Sequence, residues 1–178
     1  YVIGKGTTFG YLIKHGILLG LGIMIIFVIH KVPYRYFSGL SVLLMPLVIV
    51  LLAFTLAQGT VIEGANASRW IYIPFIGVGF QSSTMAVLVL MMFVARYLSR
   101  HKDKPITFKE SFLYLWLPVG IVLMLILPAN FSTAAIAFAT ILLLTFIGGY
   151  PIKFILYILG AALLFFSLFI LLAKALPD

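Results

Sequence analysis

The chain of 178 residues contains no cysteine, only four acidic residues, and charged residues of either sign at just 9%. Without cysteine it can form no disulfide and offers no thiolate to a metal. Its four carboxylates, Glu63, Asp103, Glu110 and Asp178, all lie outside the long apolar runs. A proton relay or a cation-coupled carrier of the usual type would need such a group within the membrane. A twin-glycine phosphate loop is absent as well. An ordinary soluble domain carries about 25% charged residues because its surface meets water, so that class is excluded too.

What the chain has in quantity is apolar surface. Hydrophobic residues make up 64%, including 16 Phe. The solvent is therefore lipid. The formal charge of +8 would suit a nucleic acid only if the cations shared one hydrated face, and here they fall between apolar runs. No nucleic-acid partner is expected.

A bilayer core of about 30 Å needs about 20 helical residues at about 1.5 Å of rise each. Polar breaks cut the chain into six spans of that order, at about residues 10–29, 36–57, 81–98, 111–127, 131–147 and 154–173. The expected fold class is all-α, a polytopic membrane protein with six transmembrane helices in one domain over residues 1–178. Pro46 falls inside the second span, where neighbouring helices can satisfy the freed carbonyl. Residues 58–80, with Glu63, Arg69, Pro74 and several glycines, are too broken for a straight helix. Pro128-Ala129-Asn130 divides a long uncharged stretch into the fourth and fifth spans, and Gly148-Gly149-Tyr150-Pro151 separates the fifth from the sixth.

Lysine and arginine set the orientation. Lys31, Arg35, Arg96, Arg100, Lys102, Lys104, Lys109 and Lys153 share one side, which is expected to be cytoplasmic, whereas Lys5, Lys14, Arg69 and Lys174 share the other. Six helices then leave both ends outside, so a helix is expected upstream and the chain reads as an internal piece of a longer protein. His15 falls on the external side and His30 and His101 on the cytoplasmic side, so no single histidine metal site is expected.

Several external residues could carry chemistry. Arg69, in Gly64-Ala65-Asn66-Ala67-Ser68-Arg69-Trp70, is suited to gripping phosphate or pyrophosphate oxygens in pairs, and Gly64 would let the backbone approach a head group. Equally, Arg69 and Trp70 suit interfacial anchors. Gln81-Ser82-Ser83-Thr84 opens the third helix with groups that bind a ligand or simply cap the helix. Lys14 and His15 lie about one turn inside the first helix, either as functional intramembrane groups or with Lys14 snorkelling outward. Asn130, Ser132 and Thr133 follow Pro128, facing a polar cavity or closing a tight turn. The cytoplasmic run from Arg96 to Lys109 holds five cations against Asp103 near its middle and is expected to contact anionic membrane lipid.

At these loops the chain resembles the shape, elongation, division and sporulation (SEDS) family, most closely its cell-division members from Bacteroidota-type bacteria. Gly64-Ala65, Arg69-Trp70-Ile71 and Gln81-Ser82-Ser83 are similar to the family signature Gly-Ala-x-Arg-Trp-Ile followed by Gln-Pro-Ser-Glu. Asn130-Phe131-Ser132-Thr133-Ala134 stands where the family has Asp-Leu-Gly-Thr-Ala, Lys14-His15 matches its early basic pair, and Val32-Pro33-Tyr34 resembles its first cytoplasmic turn. The resemblance covers essentially the whole chain. It implies helices two to seven of a ten-helix fold, in a bacterial inner (cytoplasmic) membrane protein of the division septum.

The implied activity is peptidoglycan glycosyl transfer, the joining of lipid II units at the external face with loss of undecaprenyl pyrophosphate. A lipid II flippase, or a non-catalytic divisome scaffold that recruits a transpeptidase, are the alternatives. Implied partners are lipid II, membrane lipids, a monofunctional penicillin-binding transpeptidase and other division proteins; cofactors are unknown, with a divalent cation requirement left open. Arg69, Trp70, Gly64, Gln81, Ser83, Asn130, Thr133 and Lys14 are the expected substrate-binding residues. The family's essential aspartate is expected in the external loop beyond Asp178, so no catalytic residue is assigned here. The sequence also departs from the pattern: Thr84 and Val87 stand where the family has glutamate and lysine, and Asn130 replaces an aspartate.

Because the chain has no cysteine, single cysteines report topology cleanly. A cysteine at Ser68 should react with an impermeant maleimide on intact spheroplasts, and one at Lys102 only after permeabilisation; the reverse pattern would invert the orientation.

Overall fold

The computed structural model describes residues 8–58, 61–62, 65–66, 70–73 and 78–175. The chain forms two compact units, residues 1–37 and 38–178.

The first unit holds α1, Thr8–Ile29. Its apolar residues run round the whole circumference, the pattern of a membrane span and not of a surface helix. At its C-terminal end His30 Nδ1 donates to the Phe27 carbonyl at 2.7 Å, and Lys31 Nζ sits 5.3 Å from the Phe27 ring centre. The Lys31 charge thereby opposes the negative end of the helix dipole.

The second helix, α2 (Tyr34–Gln58), continues as a helix through Pro46. Its buried positions Ser41, Met45, Val48, Leu52 and Thr55 alternate by four and three residues, which keeps one stripe turned inward. Beyond it lie two short antiparallel hairpins, β1 (Val61–Ile62) with β2 (Ala65–Asn66), and β3 (Trp70–Ile73) with β4 (Val78–Gln81). The broken segment expected between the second and third spans thus contains extended pairs.

Four further helical rods follow in the second unit: α3 (Ser82–Arg100), α4 (Phe108–Ile126), α5 (Phe131–Ile147) and α6 (Ile152–Ala175). The α4 rod begins before Ser111, so Lys109 and Glu110 occupy its first turn at the polar boundary. Among the described residues, α1, α2, α3 and α4 contain stretches that are each long and apolar enough to cross a bilayer, and Phe131–Ile147 and Ile152–Leu168 are shorter apolar stretches. With 17 residues, α5 is about 25 Å long, a few ångströms less than the hydrocarbon core, a mismatch that local thinning of the bilayer accommodates.

In this unit α3 packs on α4 and α5, α4 on α5, and α5 on α6. The residues that α5 buries are mostly small, Ala134 and Ala137 beside Ile141 and Thr145, and α3 contributes Ser82, Ser83 and Ala86. Small side chains allow close backbone approach where lipid supplies no hydrophobic drive between helices.

Two local sequences shape the opposite end, where α4 begins and α5 turns into α6. Pro118 cannot donate to the carbonyl one turn back, and its ring crowds that carbonyl. Immediately before it, Phe112–Trp116 forms a π-turn, with Leu117 N–H reaching the Phe112 carbonyl, and this wider turn absorbs the proline without breaking α4. Between α5 and α6 the chain makes a Schellman turn: Tyr150 N–H bonds the Thr145 carbonyl, Gly149 N–H the Phe146 carbonyl, and Gly149 has φ +76°. A Cβ at Gly148 would come within 2.6 Å of Leu98 Cδ1, so a larger residue there would have to displace the leucine side chain.

This turn drives Tyr150 into the core, where it is 3% exposed. Its hydroxyl shares a hydrogen bond of 2.6 Å with Ser111 Oγ and accepts one of 3.1 Å from Trp116 Nε1. The network ties the α5–α6 turn to both sides of the π-turn. Tyr150→Phe leaves the indole N–H unpaired and should cost about 1–3 kcal/mol, read as a lower melting temperature in detergent. Tyr157→Phe, at an exposed position without a hydroxyl partner, is the matched control.

Candidate functional site

The end of the second unit that is expected to be external holds the C-terminal turns of α2, the β3–β4 hairpin, and the starts of α3 and α5. The hairpin register pairs Trp70 with Gln81 and Ile71 with Phe80. Trp70-Ile71 and Phe80-Gln81, the two arms of one hairpin, are therefore adjacent backbones, and β4 runs without a break into α3. Gly64 and Arg69 lie outside the described residues. Lys14 has its backbone in α1, in the first unit. For Trp70 the structure fixes the strand position only.

Gln81 holds the N-cap position of α3 with φ −91° and ψ 111°, but its side chain makes no capping bond. Instead its Nε2 donates to Ser83 Oγ at 2.9 Å. Ser82 and Ser83 are both buried. Ser82 Oγ meets Thr55 Oγ1 at 3.2 Å, and Thr55 Oγ1 also reaches the Leu51 and Leu52 carbonyls at 3.0 Å. Hydroxyls at the α3 start thus do structural work, tying α3 to α2, while Gln81 orients Ser83.

Thr55 was not among the expected site residues. Its signal was available: it continues the four-and-three spacing of α2 inward, where a polar residue needs a partner.

Asn130 caps α5. Its Oδ1 accepts from Thr133 N–H at 3.1 Å, and this is the role that the two residues show. An aspartate would cap equally well, so the change from the family's Asp-Leu-Gly-Thr-Ala preserves the turn.

Beside this turn an apolar groove of about 310 Å³ runs between α4, α5 and α6, with Gly120, Ala134, Ala135 and Ala162 forming its hollow and Phe131, stacked on Phe166 at 5.3 Å, among its lining. Among the described residues, no group of three His, Cys, Asp or Glu side chains could hold a metal ion.

Residues 3–176 match the model of the FtsW/RodA/SpoVE family, described as cell cycle protein. The chain belongs to this family. It is 31% identical over 92% of its length to a probable peptidoglycan glycosyltransferase FtsW of Allochromatium vinosum, covering 41% of that protein. It is also 31% identical, over 81% of its length, to the protein of that name in Coxiella burnetii, covering 38% of it. Among solved structures it matches a chain of a peptidoglycan synthase complex that coordinates polymerization and crosslinking, with a TM-score of 0.67 and 26% identity, over 86% of this chain and 44% of that one. The chain therefore spans about two-fifths of the curated relatives it matches. It is an all-α, multi-pass membrane protein of the SEDS family.

The capping and ligand roles of Asn130 separate by substitution. Asn130→Ala should lower stability by about 1 kcal/mol, whereas Asn130→Asp should melt within a few tenths of wild type. Equal losses in the two would show that the amide itself, not the cap, is needed.

Proposed function

We propose that this chain is the helix-two-to-seven portion of a division-type lipid II polymerase, acting at the external face of the bacterial inner membrane at the septum. The pairing of Trp70 with Gln81 carries the reading, since it joins the two family motif segments at the external start of α3. The names of the FtsW relatives support the same activity.

Glycosyl transfer needs a base for the attacking sugar hydroxyl and positive charge against the departing pyrophosphate. Arg69 supplies the charge: its guanidinium can hold two phosphate oxygens at once. Gly64, Trp70, Gln81 and Ser83 are the further head-group contacts that the family motif suggests. Asn130 and Thr133 hold the turn at the other side. The apolar groove between α4, α5 and α6 offers a surface for an isoprenoid chain. The base is an acidic residue of the external loop beyond Asp178. The partner is a monofunctional penicillin-binding transpeptidase, in keeping with the synthase complex that this fold resembles.

In the full-length protein with its transpeptidase, Arg69→Ala should reduce lipid II polymer by at least about tenfold, the loss expected when an interaction worth over about 1.4 kcal/mol in the transition state is removed. Replacement of the first acidic residues after the last helix of this chain should abolish polymer altogether. Polymer unchanged in both variants overturns the reading. Movement of lipid II across proteoliposome membranes with no polymer would instead identify a flippase, and full complementation by Arg69→Ala a scaffold.

A further inference from the structure

The cytoplasmic end of α3 carries a second hollow, far along the helix from the external site. It has a volume of about 280 Å³ and is lined by Phe93, Arg96, Tyr97, Arg100, His101 and Tyr114. Arg96 and Arg100 are one helical turn apart and so share a face.

Arg96 is half-buried and held in place. One of its terminal nitrogens donates to the Ser38 carbonyl of α2 at 2.6 Å, the same carbonyl that accepts from Ser41 Oγ. A guanidinium has five N–H donors, and no other acceptor for them is found among the described residues. Arg100 is exposed and has no carboxylate partner among the described residues either.

His101 is fixed as well. Its Nδ1 donates to the Tyr97 carbonyl at 2.8 Å and its ring stacks on Tyr97 at 4.2 Å, which leaves Nε2 for an outside partner. The π-turn of α4 supplies the facing wall through Tyr114. Two guanidinium groups without a carboxylate partner among the described residues therefore sit at the mouth of a hollow whose remaining walls are aromatic.

We infer that this hollow binds the phosphodiester head group of an anionic phospholipid in the cytoplasmic leaflet. Arg96 and Arg100 hold the phosphate, His101 Nε2 lies at the rim, and Phe93 and Tyr114 flank the glycerol and first methylenes. A free phosphate ion would use the cationic rim alone and leave the aromatic walls facing lipid. The site is narrower than the whole basic run from Arg96 to Lys109, because Lys102, Lys104 and Lys109 do not line it.

The test is native mass spectrometry of the full-length protein in detergent, titrated with phosphatidylglycerol or with phosphatidylcholine. One phosphatidylglycerol should bind in preference to phosphatidylcholine, and Arg96→Gln with Arg100→Gln should weaken it about tenfold or more. Arg100→Gln alone breaks no internal hydrogen bond, so it should weaken binding without lowering the melting temperature. Lys109→Gln with Lys153→Gln removes as much charge elsewhere on the same face and should leave binding unchanged. Equal losses in the two double variants would reduce the effect to diffuse charge and overturn the site. Displacement of the lipid by millimolar inorganic phosphate would overturn the lipid assignment, and failure of Arg100→Gln to weaken binding would overturn the role of the arginine pair.

Discussion

A bilayer core provides no water, so a polar group placed in it must find its partner within the protein. The six rods follow from that constraint, because a helix satisfies its own backbone. The side-chain hydroxyls obey it too. Ser41, Thr55, Ser111, Thr140, Thr145 and Ser167 each donate to a carbonyl three or four residues earlier in their own helix. A hydroxyl satisfied in this way can be buried or face lipid at modest cost, and some then have capacity left for a second helix. Thr55 uses it to meet Ser82, and Ser111 to meet Tyr150.

These two links lie at opposite ends of the second unit and do different work. At one end Thr55 and Ser82 join α2 to the first turn of α3, beside the β3–β4 hairpin. At the other the Tyr150 hydroxyl joins the α5–α6 turn to the π-turn of α4. Proline makes the second link available: Pro118 is accommodated by the wider turn, which Ser111 precedes and Trp116 ends. The same turn positions Tyr114 beside the arginines of α3. One local distortion thus connects a buried polar network with a cationic hollow on the same end of the molecule.

Electrostatics divide along the same axis. Among the cations between the apolar runs, Arg96 differs from the loop lysines by being half-buried and anchored to a backbone carbonyl. Arg69 is the cation within the family motif. Orientation needs only the number of charges. Recognition needs a guanidinium held in one place, and the Ser38 carbonyl does that for Arg96.

The membrane class, the six apolar spans, the break at 58–80 and the family motifs were legible in the sequence, because hydropathy and charge are properties of single residues and their order. So was the turn at Gly148-Gly149, whose left-handed φ at Gly149 a glycine accepts without strain. Three features depended on which residues come together. Trp70 pairs with Gln81 through the hairpin register, Ser82 finds Thr55 only because the end of α2 meets the start of α3, and Tyr150 reaches Ser111 and Trp116 only across two helices. For Asn130 and Ser83 a cap and a ligand use the same atoms, so the residue types alone name both roles, and the structure adds the local contacts, Asn130 Oδ1 with the Thr133 amide and Ser83 Oγ with Gln81.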